Sequence, residues 1–213
     1  HFPEADNGVS ELLVAVYQKF LESDALVLAN ATQETKNIMN TYGQQGLVLD
    51  GHSRGSLTIE NAMASIENQS NAVGSLSGTY VSLFGPAQNV LNADNTLATL
   101  QNRDAVTDLA TKNSMVIHYM VHEADPVGTL VGQNDSTGGT VPDGSSIVKE
   151  QFRAATGQGS TSHNLYFTNE VNFKPNLDPK KREELIDSYW GGQTPVLVPV
   201  RTYPATGSQQ EAK

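Results

Sequence analysis

Three residue types in this chain are spaced so that together they could do nucleophilic chemistry. Ser53 stands between two glycines in "GHSRG", Asp125 lies in "HEADPVG", and His163 lies in "TSHNLYF". A serine hydroxyl is a weak nucleophile. It attacks a carbonyl when a base takes its proton and a carboxylate orients that base. Cysteine is absent, so a thiolate nucleophile is excluded, and five histidines make the search for a base short.

The elements that must carry these residues can be read around them. Gly46 to Asp50 is a short apolar run suited to a buried strand, and from Ser56 onward Leu57, Ile59, Ala62, Met63 and Ile66 recur at helical spacing. A serine on so sharp a strand-to-helix turn takes a strained backbone, and glycines on both flanks, Gly51 and Gly55, relieve collisions. The amide after it, that of Arg54, then sits at a helix N-terminus, where a developing oxyanion is favoured. The plainer alternative is a strand-to-helix turn whose glycines occupy unusual backbone geometry.

His163 is the one histidine after Ser53 in a loop-like stretch, so it is the candidate base. His118 and His122 fall in or beside the apolar run Met115 to Val121 and are assigned structural roles. On a strand, a spacing of four sets two rings more than about 10 Å apart, which does not suit one zinc ion. No metal site is expected. His52 is too near Ser53 in sequence to reach its hydroxyl, and His1 opens the chain. Asp125, just before Pro126, leaves the sheet where carboxylates of an open α/β site are expected, at the carboxyl end of a strand. Asp94 and Glu123 are its rivals, and Asp-Pro also serves as an ordinary turn opener.

With "LVLDGHSRGSLTI", "HEADPVG" and "TSHNLYF" in this order, the chain resembles the α/β-hydrolase superfamily, particularly its lipases and esterases. Residues 44 to 66 also resemble, loosely, hydrolase-like domains at the C-terminal ends of bacterial filamentous haemagglutinin-type exoproteins, some of them effectors between competing bacteria. The resemblance implies Ser53 as nucleophile, Asp125 as orienting acid, His163 as general base and the Arg54 amide as one oxyanion donor, with no cofactor. It also implies a secreted or cell-surface location within a larger exported bacterial protein, and a carrier exoprotein or an immunity protein as partner. The chain departs from the superfamily in two places. The residues before Ser53 read mostly as helix, which leaves the second oxyanion donor unidentified, and no strand is evident between Asp125 and His163. The expected architecture is therefore a reduced α/β-hydrolase-like three-layer fold, with a short mostly parallel sheet flanked by helices.

Length and composition fit one such domain over residues 1–202 with a flexible tail at 203–213. A chain of 213 residues with 38% hydrophobic residues can bury a core without disulfides or metals. Val9, Leu12, Leu13, Val16, Tyr17 and Phe20 mark an amphipathic first helix, and a second is expected over much of Ala25 to Asn40. Further expectations are a strand in "GTYVSLFG" from Gly78, a polar helix near Asp104 to Thr111, and a strand ending near Val121. The stretch "NDSTGGTVPDGSS" reads as a loop, a candidate lid or a plain surface excursion, with the helix-like "IVKEQFRAAT" after it. "TPVLVPV" suits a last strand, at an edge because of Pro199.

Twenty-three acidic against thirteen basic residues give a net charge of −10, which argues against nucleic acid and against an anionic membrane surface. The basic start of "PKKREELIDSYW" reads as a solvated helix face. No apolar run is long enough to span a membrane and no signal-peptide pattern opens the chain. The function these features favour is ester hydrolysis by a serine hydrolase, with a lipid or phospholipid ester as substrate. The alternative is a non-catalytic binding or adhesion module on a degenerate hydrolase scaffold. The Arg54 side chain suits either an anionic head group or a salt bridge to a neighbouring acid.

Overall fold

The computed structural model describes residues 30–104, 115–141, 146–150, 162–164, 166, 178–191 and 197–198. Its centre is a three-stranded parallel sheet in the order β1 (Val48–His52), β2 (Tyr80–Phe84), β3 (Ile117–Met120). The register pairs His52 with Phe84 and Phe84 with Met120, so all three strands end at one edge of the sheet. Parallel neighbours need crossover connections, and helices supply them. α2 (Arg54–Glu67) joins β1 to β2, and α3 (Val90–Leu100) lies between β2 and β3 in the chain. α1 (Asn30–Tyr42) precedes β1 and packs on α2.

Alternation along the strands builds a layer on each side. Val81, Leu83, Ile117 and Tyr119 share one apolar core with Met39 of α1, Ile59, Ala62, Met63 and Ile66 of α2, and Val90, Ala93 and Leu97 of α3. Phe84 and Met120, one residue out of phase, pack instead with Tyr166 and with Ile186, Tyr189 and Trp190 of α4 (Pro179–Trp190). The result is a small α/β fold with a short parallel sheet flanked by helices, as expected.

The differences from expectation are local. β1 runs two residues later than the apolar pattern suggests, through Gly51 to His52, because His52 still pairs with Phe84. α2 begins at Arg54 rather than Ser56. α3 is not anticipated from the sequence, although its signals are present: Asn89 caps it by accepting from the amides of Leu91 and Asn92, and Val90, Ala93, Leu97 and Ala98 keep helical spacing. Asp104 has no regular structure, and 105–111, the rest of the expected polar helix, lies outside the described residues, as do the first helix and the tail at 203–213. In "TPVLVPV", Val198 pairs antiparallel with Tyr119 on the outer side of β3, while Pro199 lies outside the described residues. Among the described residues no helix is long and apolar enough to cross a membrane.

Candidate active site

The site begins where β1 becomes α2. Ser53 caps the helix with φ 53° and ψ −121°, a backbone that residues with a side chain rarely adopt. Such strain costs on the order of 1–3 kcal/mol and persists where the surroundings over-determine it. Here they do so from both sides. The Ser53 amide donates to the Phe84 carbonyl at 3.0 Å, carrying the sheet ladder one residue further, and its carbonyl accepts from the Ser56 amide at 3.1 Å and from the Ser56 hydroxyl. Ser56 in turn accepts from the Ala87 amide at 3.1 Å, fastening the elbow to the loop after β2.

The two glycines of the motif are not equivalent. A Cβ on Gly51 would lie 2.8 Å from the Ile59 side chain and 3.1 Å from the Ser56 backbone, whereas at Gly55 nothing stands within 4 Å. The expectation that both flanks need glycine for clearance therefore holds at Gly51 alone. Arg54 is the first residue of α2, which sets its amide at the helix N-terminus, while its side chain is only 8% exposed and is engaged by its surroundings.

Across the same sheet edge, Asp125 follows the end of β3 and is fully buried. His163, on a short 3₁₀ turn over Ser162–Asn164, sets Nδ1 at 2.9 and 3.0 Å from the two Asp125 carboxylate oxygens. The Val127 amide donates to Oδ1 at 2.8 Å, and the Tyr166 hydroxyl donates to Oδ2. Burial pushes the Asp125 carboxyl upward, but facing His163, the hydrogen bonds from His163 and Tyr166 and the Val127 amide outweigh it, leaving the group below the ordinary carboxylate range. Burial and the neighbouring Asp125 charge raise the Tyr166 phenol well above its usual value, so it stays a donor. Its oxygen also accepts from the His122 amide at 2.8 Å.

Further contacts fix the His163 turn. The Ser162 hydroxyl donates to the Ala124 carbonyl at 3.0 Å, tying the turn to the residue before Asp125. The His163 carbonyl accepts from Nε2 of His52 at 2.8 Å, and the His52 and His163 rings stack with centroids 4.6 Å apart. Gly85, directly after β2 with φ 50°, lies against the cluster. A Cβ there would stand 2.5 Å from Asp125 Oδ2, 2.8 Å from the Tyr166 ring and 3.0 Å from His163 Nδ1. Thus Asp125 and His163 are in direct contact, and Ser53 is joined to them through His52 on one side and Phe84 and Gly85 on the other.

The rival acids lie elsewhere. Asp94 is buried on α3, where Oδ1 accepts from the Val116 and Ile117 amides at 2.7 and 2.8 Å, at the amino end of β3. Glu123 is half-buried, with its amide on the Gly138 carbonyl. His122 is buried and neutral, its Nε2 donating to the Tyr189 carbonyl and its Nδ1 accepting from the Ala124 amide, and burial lowers its basicity. That arrangement is structural. His118 is half-buried within β3. The first half of the candidate lid is stitched down: the Thr137 amide donates to the Val121 carbonyl, and Asn134 bridges the loop after β2 to the turn after Asp125 through the Pro86, Gln88 and Gly128 carbonyls. Residues 142–145 lie outside the described residues.

Ser56, Gly85 and Tyr166 are missed by reading the sequence for chemistry. Gly-Pro directly after a strand and a tyrosine three residues beyond the base are the available signals. Compared with known protein families, curated proteins and solved structures, the chain matches none.

Proposed function

We propose that the chain is a serine hydrolase that cleaves a carboxylic ester, on an α/β-hydrolase-like scaffold. The observation that carries this reading is the strained Ser53 backbone at a strand-to-helix turn, set on the sheet edge that also holds the hydrogen-bonded Asp125–His163 pair. Asp125 occupies Nδ1 of His163, which leaves Nε2 to serve the nucleophile; the contact from Nε2 to the Ser53 hydroxyl is what the proposal adds.

In the proposed cycle the Ser53 oxygen bonds to the ester carbonyl carbon while its proton passes to His163 Nε2. The carbonyl electron pair moves onto oxygen, facing the Arg54 amide. Collapse of that intermediate breaks the ester C–O bond, and His163 returns the proton to the leaving alcohol. Water then attacks the acyl-enzyme, giving up a proton to His163, and the acid departs as Ser53 is restored. The substrate class is an ester, and a lipid or phospholipid ester is the particular member favoured by the resemblance to lipases. The burial of Arg54 supports fastening of the elbow as the role of that side chain.

The test is a fluorophosphonate probe together with ester turnover. The chain should be labelled at Ser53, and Ser53→Ala should lose labelling and turnover with its thermal unfolding nearly unchanged. Turnover retained by Ser53→Ala would defeat the assignment, and a wild-type chain that ignores the probe would favour a non-catalytic binding module.

A further inference from the structure

His52 lies inside the nucleophile motif yet has no place in the proposed cycle. It ends β1, pairs with Phe84, and immediately precedes Ser53. Its side chain makes a contact that the sequence spacing gives no hint of. Nε2 lies 2.8 Å from the backbone carbonyl of His163, and the two rings stack at 4.6 Å with their planes 29° apart. The Tyr166 ring is also near His52, tilted to it, with centroids 5.9 Å apart.

A carbonyl oxygen only accepts hydrogen bonds, so Nε2 of His52 carries the proton and donates. The group that receives it is the main chain of the base, not its ring. This differs from the two familiar uses of histidine at such a site, because His52 neither abstracts a proton nor ligates a metal. It closes a loop of contacts instead. β1 leads through His52 to the His163 carbonyl, His163 Nδ1 leads to Asp125, and Asp125 follows β3. The His52 link attaches the 3₁₀ turn to β1, the strand that leads into the serine, while Ser162 and the His163 ring attach it to the segment that follows β3.

We infer that His52 is a positioning residue, holding the backbone of His163 and the plane of its ring over the nucleophile elbow by a hydrogen bond from Nε2 and a ring stack. The inference rests on the serine-hydrolase reading. Its chemistry requires a neutral His52, and the surroundings supply one: burial first, then the proximity of His163, push it down to about 4, against smaller upward effects of the His163 carbonyl and Asp125. A misplacement of about 1 Å at a reacting group costs on the order of a hundredfold in rate, so a tether to the base backbone is a sensitive point.

The experiment compares the full chain with His52→Phe, which keeps an aromatic ring but has no donor, and His52→Gln, whose amide nitrogen reaches close to the position of Nε2. Rates of Ser53 labelling by the fluorophosphonate and kcat and KM for a short neutral ester are measured, with thermal unfolding as the control for folding. His52→Phe should label and turn over at least tenfold more slowly through kcat with KM nearly unchanged, and His52→Gln should recover most of that loss. Wild-type rates in His52→Phe, or equal losses in both variants, would overturn the donor role. Nitrogen NMR of the wild-type chain at pH 7 gives a second readout that needs no variant to fold. A neutral His52 ring protonated at Nε2 supports the tether, and a cationic or Nδ1-protonated ring overturns it. If the wild-type serine is not labelled at all, the serine-hydrolase reading fails, which is distinct from labelling that survives His52→Phe.

Discussion

Two buried aspartates flank β3, one at each end, and they have opposite characters. Asp94 reaches from α3 to the amino end of the strand and accepts the Val116 and Ile117 amides. Asp125 lies beyond the carboxyl end and accepts from a histidine, a tyrosine and one amide. Both are fully buried. Burial dominates at Asp94 and raises its carboxyl despite the two amides, whereas at Asp125 the downward pull of its partners wins. The amino end of a parallel strand offers backbone donors that hold a carboxylate as a staple. The carboxyl end opens onto loops, where side chains that exchange protons can be gathered around it. Burial of a carboxylate therefore does not mark a site in this molecule; the partners do.

The largest expected effect separates these two residues. Asp125→Asn should lower kcat by on the order of 10⁴-fold, the scale seen when a triad acid can no longer fix the histidine tautomer. Asp94→Asn should leave kcat close to wild type. Asp94→Ala should unfold more readily, because each orphaned buried amide costs about 1–3 kcal/mol. Their pH signatures also oppose one another. Asp125 has a lowered folded value, so its contribution to stability is present above the ordinary carboxylate value and is lost as pH falls through the folded one. Asp94 has a raised folded value, so its contribution is full below the ordinary value and is lost as pH rises through the folded one. Urea unfolding should show each dependence flattened in the matching Asn variant, for Asp125 below the ordinary carboxylate value, on acidification to about pH 2, and for Asp94 above it, up to about pH 7. Equal turnover losses in Asp94→Asn and Asp125→Asn would dissolve the contrast.

Tyr166 sharpens the comparison, since it is, beside His163, a side-chain donor to Asp125, whereas Asp94 accepts from backbone amides. Hydrogen bonds to charged groups contribute about 1.5–3 kcal/mol. Tyr166→Phe should slow kcat roughly tenfold, and it should destabilise the fold by about 1–3 kcal/mol because the His122 amide loses its acceptor. With one donor gone, the Asp125 carboxylate is more basic toward His163, so the acid limb of kcat/KM should move to higher pH. A pH profile that does not move would reduce Tyr166 to packing.

How legible the molecule is in its sequence depends on the kind of signal. Short apolar runs disclose the strands, because the sheet is covered on both faces, and period-3.6 spacing discloses α2, because one face of that helix is buried. α3 escapes such a reading because Asn92, Asp94 and Asn95 look polar, although Asp94 is buried by its use at β3 rather than by hydrophobicity. Ser53, Asp125 and His163 stand out by type and chain order. Tyr166 and the His52 tether do not, since a hydrogen bond to a main-chain carbonyl or to a buried carboxylate leaves no spacing rule in the sequence. The need for glycine at Gly85 is equally a matter of the side chains that converge on it from other segments.

The smallest effect tests the asymmetry within the motif itself. Gly51, within β1, is pressed against α2, and a Cβ there would intrude on Ile59 and on the Ser56 backbone. Gly51→Ala should therefore destabilise by about 1–3 kcal/mol, as overpacking does, and disturb the elbow with it. Gly55 is the second residue of α2, a methyl group there would meet nothing within 4 Å, and its φ is not positive. Alanine loses less backbone freedom on entering a helix than glycine, by about 0.5–1 kcal/mol. Gly55→Ala should thus raise the unfolding midpoint slightly while leaving ester turnover and Ser53 labelling unchanged. Lost turnover in that variant would mean that the space beside Gly55 is occupied during the reaction, by substrate or by a segment that closes over it, and would return the second glycine to the chemistry.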